Sequence, residues 1–138
     1  MEWAPLEQYV PTLTASVTNP TGQTVTGRFR RHGVLAYLSG VATLDAGLGS
    51  GEYRVSMPTD WTAASVTGMR WTGGGAGNDV STGISYKITP LVVTGATLIG
   101  LTWVNGTTSA LQAFTSTSPI ALASGDLLAW HIWFELAA

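Results

Sequence analysis

The 138-residue sequence predicts an all-β fold, a jelly-roll-like antiparallel β-sandwich with an extended N-terminal arm, and three observations carry that expectation. Val, Thr, Ile, Tyr and Trp dominate the chain, and 17 glycines punctuate it at short intervals. No segment sustains a helical period flanked by caps, so short strands separated by turn residues are the pattern left. Charge is scarce, 10% of residues against 45% hydrophobic, where an ordinary soluble domain carries about a quarter charged. Such a chain has few ionisable groups for chemistry and enough apolar surface to hide some of it against copies of itself or a partner.

The length is that of one domain, read as an arm over residues 1–11 and a single sandwich over 12–138. The arm has two prolines and two aromatic anchors, Trp3 and Tyr9. Proline lacks an amide donor, so this stretch cannot sit in mid-sheet and is expected to dock by its side chains, either over its own core or on a neighbouring subunit. Strands are then expected at Tyr9–Val17, Thr24–Arg31, Val34–Leu44, Glu52–Met57, Ala64–Trp71, Ile84–Val93, Thr97–Val104, Ala110–Thr115 and Leu127–Leu136. Tyr53–Met57 and Ile84–Ile88 alternate apolar and polar residues, as in a sheet with one wet side. Val34–Leu38 and Leu127–Phe134 are apolar on both faces, and an oligomer interface is the simplest cover for the second face. Leu35, Tyr37, His131 and Trp133 are the expected interface residues. Asn105–Gly106 suits a tight type I′ hairpin, since both central residues must accept positive φ. The run Gly73–Gly77 lacks the Lys and Ser or Thr of a phosphate loop and opens no helix, so it reads as a mobile loop.

Composition and spacing weigh against most chemistry. A net charge of −2 and six scattered basic residues are not a phosphate-binding surface, and Arg28, Arg30, Arg31 and His32 read as a solvated strand edge. Without cysteine there are no disulfides, thiolate sites or Cys nucleophile. His32 and His131 lie far apart, no Gly-x-Ser-x-Gly elbow is present, and the acids show no pairing for glycoside hydrolysis. The isolated acids and distant histidines lack the spacing of zinc or calcium sites. No catalytic residue, metal ligand or cofactor is therefore expected. Leu127–Phe134 is far short of the ~20 apolar residues of a spanning helix. Met1-Glu2-Trp3-Ala4-Pro5 has neither the basic start nor the apolar run of a secretory signal, so synthesis in a cytoplasm without cleavage is expected. Six tryptophans keep sugar stacking open as an alternative.

One ordered pattern runs through the first half: Trp3-x-Pro5, Tyr9-x-Pro11-Thr12-Leu13-Thr14, Thr18-Asn19-Pro20-Thr21, Thr26-Gly27-Arg28-Phe29, Gly33, and Gly49-Ser50-Gly51-Glu52-Tyr53-Arg54-Val55-Ser56-Met57-Pro58. With Gly125-Asp126-Leu127 leading to Phe134-Glu135-Leu136-Ala137, it resembles a β-domain recurrent in structural proteins of tailed bacteriophages, often at the ends of minor tail or fibre proteins. The resemblance covers residues 3–58 and 125–137. It implies a trimeric jelly-roll-like domain carried on a virion and transfers no catalytic residue. Here the pattern starts almost at Met1, so a free-standing copy attaching by its own surface is expected. That favours a capsid decoration protein, a homotrimer on the exterior of the shell whose partner is the major capsid protein and whose arm contacts the shell through Trp3, Pro5 and Tyr9. A tail-tip or fibre protein recognising host envelope glycan through exposed Trp and the Gly73–Gly77 loop is the alternative, and a small envelope-degrading hydrolase ranks last.

Overall fold

The computed structural model describes residues 4–138, so Trp3 lies outside the described residues. Two antiparallel six-stranded sheets pack face to face as a β-sandwich, with no helix among the described residues. Sheet A runs in the order β1 (Glu7–Tyr9), β3 (Thr24–His32), β4 (Leu35–Thr43), β12 (Leu127–Glu135), β7 (Gly74–Asp79) and β8 (Ile84–Lys87). Sheet B runs β2 (Leu13–Ala15), β5 (Tyr53–Ser56), β10 (Leu98–Val104), β9 (Thr89–Val93) and β6 (Arg70–Thr72), with β11 (Leu111–Ala113) also paired to β10.

The centre of sheet A is the β4–β12 ladder, which runs unbroken from Leu35↔Glu135 to Thr43↔Leu127. Side chains alternate across it, because successive Cβ atoms of a strand point to opposite faces. Ala36, Leu38 and Ala42 from β4 and Leu128, Trp130, Ile132 and Phe134 from β12 are buried between the sheets. Sheet B answers with Val55, Val92, Ile99 and Leu101, and Leu13 and Tyr53 close the same core. Each large side chain so buried contributes about 1.5–3 kcal/mol.

One inner row of sheet A explains several glycines at once. Tyr9 pairs with Gly27, Gly27 with Gly40, Gly40 with Trp130 and Trp130 with Gly75. A Cβ on Gly40 would sit 2.5 Å from Cζ2 of Trp130, and one on Gly27 would sit 2.6 Å from Cε1 of Tyr9. The two rings thus lie across glycines of the neighbouring strands, in the space that side chains would otherwise take.

Five sequence expectations are corrected. Tyr9–Val17 is not one strand: Tyr9 ends β1 in sheet A, Leu13–Ala15 form β2 in sheet B, and Pro11 lies between them where the chain changes sheet. The Gly73–Gly77 run is no mobile loop: Gly74–Gly77 belong to β7, paired with β12 on one side and β8 on the other. Close neighbours account for its glycines: a Cβ on Gly73 or Gly75 would overlap the carbonyl oxygen of His131 or Ala129 on β12, and one on Gly77 would meet the Phe114 ring at 2.6 Å. Ile84–Val93 is two strands, because the chain changes sheet at Ile88. The Ile88 amide still donates to Gly75 O in sheet A at 3.0 Å, while Thr89 pairs with Thr102 in sheet B. Ala64–Trp71 is mostly irregular, with a Met69 to Val66 turn and Gly68 at φ 78°, and only its end joins β6. Asn105–Gly106 forms no two-residue hairpin. Asn105 instead opens a longer loop, its Oδ1 accepting from Thr107 N at 2.8 Å, and Ser109 takes the positive φ of 57°.

Tyr53 gives the fold a pH dependence. Its ring is fully buried, its hydroxyl donates to Leu48 O at 2.6 Å, and burial pushes the phenol up to about 12 from 10.0. Burial raises Tyr9 in the same direction. The folded state therefore holds these protons more tightly than the unfolded chain, so their stabilisation is complete below pH 10 and declines as pH rises from there through the folded-state values. The urea midpoint should fall between pH 9 and 11.5, and less steeply in Tyr53→Phe; equal slopes for both proteins would show that Tyr53 does not titrate on unfolding.

Candidate functional site

The strict alternation that fills the core leaves the other half of β4 and β12 facing outward. All four expected interface residues meet there in successive outward-facing ladder pairs, Leu35 opposite Glu135, Tyr37 opposite Trp133, and His131 opposite Ser39 in the next outward pair. The Tyr37 and Trp133 rings stand 4.8 Å apart at 50°. Trp133 is 46% exposed, Leu35 39% and Val41 37%. His131 is also exposed, and its ring lies over Gly74, where a Cβ would come within 2.9 Å of Nε2.

The same register brings in residues that the sequence kept apart. On β3, Arg28, Arg30 and His32 stand opposite Ser39, Tyr37 and Leu35, on the outer side. Gln8 of β1 pairs with Arg28, and Lys87 of β8 pairs with Ala76, which itself pairs with Ala129. The outer face of sheet A therefore has an apolar and aromatic centre, with Arg28 and Arg30 along one side and Lys87 along the other. Both histidines share it, although most of the chain separates them. Glu135 is the single acid on this face among the described residues. A trough of about 600 Å³ runs beside the aromatic centre, lined by Gln8, Thr26, Arg28, Ser39 and Val41 among others.

The arm residues divide. Pro5 is exposed. Tyr9 turns inward, its ring edge-on to Phe29 at 5.7 Å and its hydroxyl donating to Ser56 O across the gap to sheet B at 3.1 Å. Tyr9 thus locks the end of β1 onto its own two sheets, while Pro5 before it and Val10 after it are exposed.

The acids serve the loops. Asp126, 2% exposed, accepts from Val80 N and Ala123 N at 3.0 and 2.8 Å. Asp79 caps the β7–β8 turn, and the Ser81 hydroxyl, followed by the Thr82 and Ser81 amides, holds its carboxyl below the usual range. Asp45 accepts from Ala46 N and Ser124 Oγ. Among the described residues no three His, Asp or Glu side chains converge on a metal-sized site.

Of the tryptophans, Trp130 is buried, Trp61, Trp71 and Trp103 are half-buried, and Trp133 stands out at the surface. Sequence reasoning found Trp133 and Tyr37 but missed Arg28, Ser39 and Lys87 beside them. Their signal was parity along each strand, and it becomes usable only once the register between strands is known. Comparison of the chain with known protein families, with curated proteins and with solved structures finds no match.

Proposed function

We propose that this chain is a non-enzymatic structural protein of a phage virion, a capsid decoration protein that binds the assembled shell from outside as a homotrimer. The observation that supports it most is the outer face of sheet A, where Leu35, Tyr37, His131 and Trp133 gather around an apolar centre on a sandwich whose core is already filled. An exposed aromatic centre with a polar rim is the anatomy of a protein interface. The resemblance carried by residues 3–58 and 125–137 supplies the virion and the trimer. The major capsid protein is the proposed partner, the host cytoplasm the place of synthesis, and neither nucleic acid, membrane nor cofactor has a part. A decoration protein stabilises by mass action, binding the assembled lattice and not its separated parts, and many copies multiply a modest contact.

The first test is the copy number in purified particles, by quantitative mass spectrometry against the major capsid protein. Hundreds of copies in simple ratio to the shell protein are expected. A handful would move the protein to the tail, and absence would overturn the virion reading.

The arm is tested by truncation. Removing residues 1–6 spares β1 and the Tyr9 lock, so the protein should keep its melting temperature within a few degrees and lose capsid binding. Removing residues 1–11 also deletes Tyr9 and the buried Pro11, and should cost about 3 kcal/mol. Full decoration by the shorter truncation would take the shell contact away from the arm.

A second reading, a tail protein binding host envelope glycan, is favoured by one observation. Exposed Trp133, with half-buried Tyr37 packed against it, stands on the same face as the donors of Arg28, Ser39 and Gln8. With the Gly73–Gly77 run inside the sheet, this face replaces it as the sugar platform. Binding of envelope saccharides by wild type and not by Trp133→Ala would favour this reading.

A further inference from the structure

The proposed homotrimer needs a surface to cover the outer face of sheet A, and the charge on that face decides which. Two copies pressed together through the same patch would set Arg28 and Lys87 of one against those of the other, and like charges brought together in an interface cost several kcal/mol. The complementary surface must be apolar at its centre and acidic.

One end of this chain has that character. The β7–β8 turn carries Asp79, followed by Val80 at 58% exposure, and closes on Ile84 at 49% exposure. Asp45, just beyond the end of β4, is exposed at the same end of sheet A, where Leu44 N donates to Asp126 O. The turn is built to hold its shape. Asp79 Oδ1 accepts from the Ser81 and Thr82 amides at 3.0 and 3.3 Å, Gly83 N donates to Asp79 O at 2.8 Å, and Val80 N is pinned to the buried Asp126. A preorganised tip gives up little conformational entropy on docking.

We propose that the β7–β8 turn of one copy, tipped by Asp79, Val80 and Ile84, seats on the outer face of sheet A of the next copy, its carboxylate toward Arg28. Such a contact is heterologous, since two different patches meet, and a head-to-tail contact closes into a ring when its rotation allows. Val80 and Ile84 cover the Tyr37 and Trp133 centre, and the charges set the register. The inference rests on the homotrimer reading and adds to it the two patches that meet.

The test is the solution mass, by size-exclusion chromatography with light scattering over a range of concentrations, of wild type, Arg28→Glu, Val80→Lys and the double variant. Both side chains are exposed, and a thermal melt confirms that each variant is folded. Wild type should be a trimer. Arg28→Glu sets a like charge against the Asp79 carboxylate, and Val80→Lys brings a cation onto the apolar centre beside Arg28, so each should weaken assembly by at least about tenfold; in the double variant the two introduced charges are opposite, and part of the trimer should be recovered. A single variant that stays trimeric, or a folded double variant that fails to recover, overturns this contact while leaving the homotrimer standing. A wild type that is monomeric throughout overturns the homotrimer reading itself.

Discussion

Gly75→Ala is expected to lose about 3–5 kcal/mol of stability, from overpacking of about 1–3 kcal/mol or more and backbone strain of similar size. A melting temperature lower by about 10–15 °C would express that loss in a chain of this size. The added methyl would overlap the Ala129 carbonyl oxygen and approach Cα of Trp130 at 2.9 Å, and both obstacles are backbone. Neither can swing aside as a side-chain tip would. Gly75 also sits at φ 153°, where L side chains are rarely found. Gly83→Ala is the control, at φ 72° with nothing within 4 Å of its Cβ, and should cost about 1 kcal/mol. Thermal or urea unfolding of the two variants separates the readings: equal losses would mean that conformational preference, and not the closeness of β7 to β12, explains the glycines.

Trp130→Ala should cost about 3–5 kcal/mol, the range for emptying a large aromatic from a core. The ring is 2% exposed, in the inner row of sheet A between Gly40 and Gly75. Removing it leaves a cavity that the glycines cannot fill, since they have no side chains to relax into it. Trp130→Phe is expected to be far milder. The indole Nε1 is buried with no hydrogen-bond partner among the described residues, so phenylalanine removes a desolvated donor that costs about 1–3 kcal/mol, offsetting part of the lost contact. A Phe variant as unstable as the Ala variant, by equilibrium denaturation, would show that the indole's full outline is what the two glycines accommodate.

These two variants mark where sequence reasoning succeeded and where it stopped. The alternation in Tyr53–Met57 and the unbroken apolar run Leu127–Phe134 were legible, because a side-chain period of two is a local property of the strand. The glycines were misread for the opposite reason. Gly73–Gly77 looks like a loop by composition, since glycine is poor in strands and common in flexible segments. It is a strand because it pairs with β12 and β8, and β12 lies so close to Gly73 and Gly75 that only glycine fits there; that proximity joins residues more than 50 positions apart. The break at Ile88 was equally hidden, since a chain that changes sheet keeps its apolar character through the corner. Tyr9 was recognised as an anchor, but its socket, made of Gly27, Phe29 and the Ser56 carbonyl, lies on strands from both sheets.

The class of fold, the apolar strands at its centre, the scarcity of ionisable groups and the outward apolar residues of β4 and β12 are legible in the chain alone, because each depends on composition or on periodicity within one strand. Which side chains share a face follows from pairing between distant strands. Register between strands brought Arg28, Lys87 and both histidines around Tyr37 and Trp133, and gathered Asp45 and Asp79 at one end of sheet A. Burial of the inner apolar residues and the geometry of the turns set that register, and a shift of one residue would turn the shifted strand's side chains to the opposite face.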